Sequence, residues 1–228
     1  MKAIRVHRFG PPESLTFEEV PDTTGPKWDE VIVGVAAAGV CYRDVLDRVG
    51  KYPRLSLPFI PGHELSGRVL EIGEGVTNCH TGDRVASIQY LSCGSCLYCR
   101  SDRAGICRQK RSLGHETDGA YAQRVRVKAS GLCPLPEEIS FETGAILACT
   151  VGTSLRALRN RAELKIGEKV LITAAGGGVG THAVQVAKLM GARVIAVTRS
   201  QEKVETLKSL GADDVIVWTE EGDRKSVV

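Results

Sequence analysis

Hydrophobic and polar positions change rhythm once along this chain. Up to about residue 135 the apolar residues come in short bursts of period two. Val31, Val33 and Val35 fall on one face of an extended segment at 29–35, and residues 124–128 (Arg-Val-Arg-Val-Lys) alternate as a half-exposed strand does. Pro11-Pro12, Pro21, Gly25-Pro26, Pro53, Pro58, Pro61-Gly62 and Gly82-Asp83 cut this stretch into short pieces. The pattern predicts a β-rich domain with long loops. After Pro136 the spacing turns helical over 141–158, and residues 169–173 (Lys-Val-Leu-Ile-Thr) read as a short, continuously apolar strand. The helix that follows puts Val179, Ala183, Val186, Ala187 and Met190 on one face, and Gly191 stops it. A second strand at 193–198, a helix at 201–210 and a third strand at 214–218 complete a β-α-β-α-β run, one mononucleotide-binding half of a doubly wound parallel sheet. Residues 219–228 are polar with no further element, whereas a full dinucleotide fold needs a second half. The expectation is an α/β chain with a β-rich domain at 1–150 and a Rossmann-type domain at 151–228, the latter truncated.

Composition narrows the function classes. Of 228 residues 43% are hydrophobic and 25% charged, which is the balance of a chain that folds. The net charge of +3 and an aromatic content of 5% give neither a nucleic-acid footprint nor a stacking platform, so no nucleic-acid partner is expected. The basic cluster at 100–111 reads as a solvated loop. No apolar run approaches the roughly 18 residues that span a bilayer, so no membrane partner is expected. Met1-Lys2-Ala3-Ile4-Arg5 threads charge through the N-terminus where a secretory signal would be apolar, and the expected compartment is the cytoplasm.

Eight cysteines carry the first chemistry. Cys93, Cys96, Cys99 and Cys107 follow the spacing Cys-x2-Cys-x2-Cys-x7-Cys, close enough for four thiolates to surround one tetrahedral Zn²⁺ with no open position. Disulfides are the rival, disfavoured in a reducing compartment. Such an ion would be structural. Cys41, His63 and Cys149, with Glu64 beside the histidine, are further potential ligands, but their separation leaves open whether they form a site or are core residues. Cys79 and Cys133 are read as structural.

The segment Ala175-Gly176-Gly177-Gly178-Val179-Gly180 follows a strand and opens a helix, as a dinucleotide-binding turn must. Gly177 would let a pyrophosphate approach the backbone, Gly180 would let helix and strand pack closely, and amides near Gly178 and Val179 would hold phosphates at the positive helix end. Ala175 stands at the first glycine position, where a left-handed backbone would cost about 1 kcal/mol. An NAD site places an acid about 20 residues on; this chain has Thr198-Arg199-Ser200 there, and Arg199, Ser200 and Lys203 suit a 2′-phosphate. NADP(H) is therefore expected over NAD(H), the alternative being that Arg199 and Lys203 only face solvent.

Gly62-His63-Glu64-x-x-Gly67, Gly73, Gly82-Asp83-Arg84-Val85, the four-cysteine lobe and the glycine-rich strand-turn-helix together resemble the zinc-containing medium-chain dehydrogenases/reductases, the alcohol dehydrogenase-like superfamily. The resemblance runs from residue 1 to about 218 and implies a GroES-like zinc-binding catalytic domain followed by a Rossmann domain. It implies a second, catalytic zinc on Cys41, His63 and Cys149, with Glu64 as a nearby group or transient fourth ligand and Asp44 orienting a ligand. Such a zinc polarises a carbonyl or acidifies an alcohol. Thr153 joins Gly176, Gly177, Gly178, Val179, Gly180, Thr198, Arg199, Ser200 and Lys203 in the expected cofactor set.

One position departs from the family. Alcohol dehydrogenases carry Ser or Thr two residues after the first ligand cysteine to relay a proton, and here Arg43 stands there. Arginine keeps its proton near neutral pH, so Tyr42, Tyr52 or a water takes that role, or the reaction is not alcohol oxidation. Tyr52 in Gly50-Lys51-Tyr52-Pro53 matches the active-site tyrosine of enoyl-thioester reductases, and the whole segment resembles the acryloyl-CoA reductase branch; its alternative is a packed turn residue. The expected activity is hydride transfer between a nicotinamide and a small-molecule alcohol, aldehyde or ketone. The alternatives are an NADPH-dependent enoyl-thioester or quinone reductase, and a catalytically inactive zinc-binding fragment. The resemblance also implies a homodimer or homotetramer in the full-length form.

Overall fold

The computed structural model describes residues 1–52 and 55–218; Pro53, among the predicted turn markers, and the polar segment 219–228 lie outside the described residues. The chain divides into two compact units, Met1–Ala148 and Cys149–Val228.

The first unit opens with an antiparallel pair, β1 (Lys2–Val6) and β2 (Leu15–Glu19). Next come β3 (Glu30–Ala38), the short helix α1 (Tyr42–Arg48), β4 (Leu65–Ile72) and β5 (Arg84–Ser87). A small lobe carries β6 (Tyr90–Leu91), one helical turn α2 (Leu97–Arg100) and β7 (Arg111–Ser112), which pairs back onto β6. Then β8 (Arg124–Lys128), β9 (Leu132–Pro134) and α3 (Phe141–Ile146) complete the unit. One antiparallel sheet runs in the order β8-β3-β4-β5-β9 around a core that includes Val31, Val33, Leu65, Val69, Val85, Val125 and Val127.

The alternation at 124–128 is real, with Val125 and Val127 buried between less buried basic residues. For β3 the single apolar face is a correction: Ile32 is as fully buried as Val31 and Val33, while Val35 is only partly so. This end of β3 is covered on both sides, so period two describes half of its burial.

In the second unit, π-helical turns at Arg156–Arg161 follow α4 (Gly152–Leu155), so the helix predicted over 141–158 alternates α and π segments. Then β10 (Lys169–Ile172), α5 (Gly178–Leu189), β11 (Arg193–Thr198), α6 (Val204–Ser209) and β12 (Asp214–Val217) give a parallel sheet in the order β10-β11-β12. This is the mononucleotide-binding half that the sequence pattern predicts. Gly191 ends α5 with a φ of 77°. On the predicted face of α5, Val186 and Ala187 are buried and Ala183 and Met190 pack partly buried against the same core, but Val179 is 45% exposed and Gly180 and Val184 are buried beside them. The reason is the close approach at Gly180, where a Cβ would overlap the Ala174 carbonyl oxygen. The helix comes nearest the strand end there, which turns Val179 outward.

Candidate metal centres and nucleotide loop

The antiparallel register of β3 against β4, with Ala38 opposite Leu65, brings the loop after β3 beside the residues before β4. Cys41 is the N-cap of α1, and His63 and Glu64 immediately precede β4. One ligand atom each from Cys41, His63 and Glu64 lies within 4.8 Å of the others. His63 and Glu64 are buried and Cys41 partly so. Space for the Glu64 carboxylate exists because residue 39 is glycine, where a Cβ would overlap it.

Asp44 organises this group. Its Oδ2 accepts the Cys41 amide at 2.9 Å and its Oδ1 lies 3.0 Å from His63 Nδ1. A proton on Nδ1 donated to Asp44 leaves Nε2 as the lone-pair nitrogen, the arrangement of a metal-binding histidine. Burial works against charge on His63, but the hydrogen bonds and negative charge of Asp44 and Cys41 outweigh it and raise its pKa to about 9. Tyr121 donates to Asp44 Oδ2 at 3.0 Å; burial first, then the charges of Asp44, Glu64 and Cys41, push its ionisation upward. Both shifts describe a buried pocket that favours a cation. The donor set and this field fit Zn²⁺. Tyr121 was not among the residues expected from sequence, and no spacing in Gly119-Ala120-Tyr121 marks it. Cys149 opens the second unit, partly buried in the π-helical segment Leu147–Val151.

Arg43 and Tyr52 belong to a second cluster on the same helix. Arg43 Nε lies 3.4 Å from Asp47 Oδ2, and its guanidinium sits 4.9 Å over the Tyr52 ring. His115 Nδ1 lies 3.2 Å from Asp47 Oδ1 and meets Tyr52 edge-on at 6.1 Å. Burial raises the Asp47 pKa, against the pull of Arg43 and His115. Tyr42 is 74% exposed. Asp47 and His115 also went unmarked in the sequence.

In the lobe the four thiols do converge. Sulfur separations are 3.8 Å for Cys93–Cys99, 3.5 Å for Cys96–Cys99, 3.8 Å for Cys96–Cys107 and 3.6 Å for Cys93–Cys107. Tetrahedral Zn–S bonds of about 2.3 Å place sulfurs ~3.8 Å apart, whereas a disulfide needs about 2.05 Å. The cysteines are free, and the geometry fits a closed Zn²⁺ site. The amides of Ser95 and Cys96 lower the Cys93 thiol to about 6, favouring thiolate. Cys79 is buried and Cys133 is exposed.

In the nucleotide loop, Gly177 caps α5 without a side chain, which leaves the first-turn amides to a ligand. The left-handed residue is Ala174, at φ 52°, rather than Ala175, because the chain turns one residue earlier to bring Gly180 against the strand. Lys203 Nζ donates to the Gly176 carbonyl at 2.7 Å, and Thr198 Oγ1 accepts the Ser200 amide at 3.2 Å. Arg199 and Thr153 are exposed. The cap and the adjacent ammonium fit a phosphorylated cofactor.

Residues 27–137 match the family profile described as alcohol dehydrogenase GroES-like domain, and residues 178–228 that of zinc-binding dehydrogenase. The acryloyl-coenzyme A reductase of Metallosphaera sedula is 42% identical over 230 residues, covering 100% of this chain and 68% of its own. An alcohol dehydrogenase of Geobacillus stearothermophilus is 39% identical, covering 95% and 63%. The crystal structure of AibC superposes with a TM-score of 0.91 at 45% identity, covering 96% of this chain and 61% of that one. This chain belongs to the zinc-containing medium-chain dehydrogenase/reductase superfamily, in the neighbourhood of the acryloyl-CoA reductases, and the family implies zinc and a nicotinamide cofactor. It spans about two thirds or less of the length of most of the relatives it matches, 64% for the acryloyl-coenzyme A reductase of Sulfurisphaera tokodaii. Among the described residues no helix is long and apolar enough to cross a membrane.

Proposed function

We propose that this chain carries the zinc- and nucleotide-binding parts of an NADPH-dependent reductase of activated alkenes, acting on enoyl thioesters. The observation that carries the reading is Arg43. At the position of the family's hydroxyl relay stands a guanidinium ion-paired with Asp47 and stacked on Tyr52, which cannot pass on an alcohol proton. Saturating a thioester-conjugated alkene needs no such relay, since the hydride goes to the β-carbon and the proton to the α-carbon.

Cys41, His63, Glu64 and Cys149 would hold one zinc, with Asp44 fixing the His63 tautomer, and Cys93, Cys96, Cys99 and Cys107 a second, structural one. When bound, the first zinc would polarise the thioester carbonyl and NADPH would supply the hydride. Tyr52 would hold the proton at its hydroxyl, its ring steadied by Arg43 and His115. Gly176, Gly177, Gly178, Val179 and Gly180 would line the pyrophosphate, with Lys203 beside it. Arg199 and Ser200 would face the 2′-phosphate, which favours NADP(H) over NAD(H), and Thr153 and Thr198 would border the cofactor. A second reading, carbonyl–alcohol interconversion, is favoured by the cysteine–histidine donor pair of Cys41 and His63.

The test is NADPH oxidation by the purified protein with crotonyl and acryloyl thioesters against a panel of aldehydes. Thioester turnover that falls at least tenfold in Tyr52→Phe is expected. Aldehyde turnover without thioester turnover would replace the proposal with the second reading. Bound zinc and NADPH with no turnover would replace it with an inactive zinc-binding chain.

A further inference from the structure

The arginines at 100–111 are exposed, as a solvated loop predicts, and Lys110 alone among these basic residues is partly buried. Arg108 and Lys110 line a cavity of about 500 Å³ with Arg43, Tyr52, Tyr90 and His115. We propose that this cavity binds a phosphorylated nucleotide group, the phosphoadenosine end of a coenzyme A thioester. The inference rests on the enoyl-thioester reading and names the handle by which such a substrate would be held.

Size and charge point the same way. A volume of this order is within the roughly 300–1,000 Å³ of small-molecule sites. Three permanent cations, Arg43, Arg108 and Lys110, face it with the imidazole of His115. The carboxylate on its wall, Glu116, accepts the Ser112 amide at 2.7 Å, and Asp47 lies behind Arg43 and His115, binding both. The balance left for a ligand is positive, and guanidinium and ammonium groups are the natural partners of phosphate oxygens.

The aromatic residues add the second half of a nucleotide's requirements. Lys110 Nζ lies 4.5 Å from the Tyr90 ring centroid and the Arg43 guanidinium 4.9 Å from that of Tyr52. The Tyr90–Lys110 pair sets a flat ring beside a cation, so a base can stack there where its phosphates are neutralised, and Tyr52 keeps its role at the hydroxyl.

These groups are also held in place. Arg43 is fixed by Asp47, Lys110 donates to the Gly105 carbonyl at 3.2 Å, and Tyr90 pairs with Ser112 between β6 and β7. Helix α1 joins this cavity to the Cys41–His63 group. Asp44 faces His63, and one turn later Asp47 faces His115. A thioester anchored by its phosphates here would have the same short helix along its path.

Calorimetric titration of the protein with coenzyme A, dephospho-coenzyme A, pantetheine and NADPH as separate probes tests the site. Coenzyme A should bind at least tenfold tighter than pantetheine, with dephospho-coenzyme A between them. Arg108→Ala combined with Lys110→Ala should weaken coenzyme A tenfold or more and leave NADPH within twofold. Arg103→Ala, in the same lobe but outside the cavity, should leave both unchanged. If the double variant fails to fold, Lys110→Glu alone should give the same selective loss. Equal affinity for coenzyme A and pantetheine, or coenzyme A binding that ignores the variants, would overturn the site. Crotonyl-pantetheine reduced as efficiently as crotonyl-coenzyme A would remove the site and keep the enoyl reading. Selective loss of coenzyme A binding, in a protein that reduces no enoyl thioester, would keep the site and remove that reading.

Discussion

The two groups of ligand-type residues in the first unit are built in opposite ways. The lobe collects four identical soft donors from residues 93–107, and one helical turn and a two-stranded pairing suffice to bring its sulfurs within 3.5 to 3.8 Å. The group at Cys41 takes mixed donors from either side of a strand pairing, and its geometry exists only because Ala38 registers with Leu65. Behind it stand a buried carboxylate and a partly buried tyrosine, whereas in the lobe the Cys93 thiol takes its hydrogen bonds from the amides of Ser95 and Cys96 and from the Ser95 hydroxyl. Four equivalent thiolates saturate a tetrahedral ion and serve folding. A mixed set steered by hydrogen bonds suits an ion that must also meet a substrate.

That contrast breaks most easily at the lobe. Structural zinc contributes about 10–16 kcal/mol of binding free energy in small cysteine-rich motifs, so one of four thiolates is worth ~3 kcal/mol, over a hundredfold in affinity. Cys96→Ser should drop zinc from two equivalents to one on dialysis, and make residues 93–111 the first site of limited proteolysis. Protein that keeps two zincs and its protease resistance would show that the lobe does not depend on its ion.

The same contrast decides what could be read from the sequence. The lobe was legible because its donors are neighbours and their spacing alone fixes the chemistry. The β-α-β-α-β run was legible because each element is a local apolar pattern. The Cys41–His63–Glu64 group was reachable only through family resemblance, since no local signal states that residue 41 lies beside residue 63. Asp47, His115 and Tyr121 went unmarked for the same reason: their roles come from partners 68 to 77 positions away in the chain. The errors on α5 are local but steric. Periodicity fixes that a helix has an apolar face, whereas the close approach at Gly180 decides which residue begins it.

Asp44→Asn sharpens the comparison from the other side. The change keeps the shape but removes the charge that faces His63 and caps α1 at the Cys41 amide. Loss of such a histidine partner typically costs about 10–100-fold in metal affinity. Competition with a graded chelator should show one zinc released 10–100-fold more readily and the lobe's zinc unmoved. Equal weakening of both would mean that Asp44 serves the fold of the unit rather than one centre.

The smallest expected effect is that of Tyr121→Phe, and it asks how far the hydrogen-bonded support extends. The phenol donates to the Asp44 oxygen that also accepts the Cys41 amide, so deletion leaves that oxygen with one donor instead of two. Because burial and the surrounding negative charge keep the phenol protonated, its contribution is that of a neutral donor to a carboxylate. A net cost of about 1 kcal/mol follows, roughly fivefold in the affinity of the Cys41 centre, with the lobe unaffected. Combined with Asp44→Asn, the tyrosine change should add less than it does alone, because both act through one carboxylate. A double-mutant cycle on chelator competition reads that coupling directly. Full additivity would place Tyr121 outside the support of His63 and reduce it to a packing residue beside Gly62.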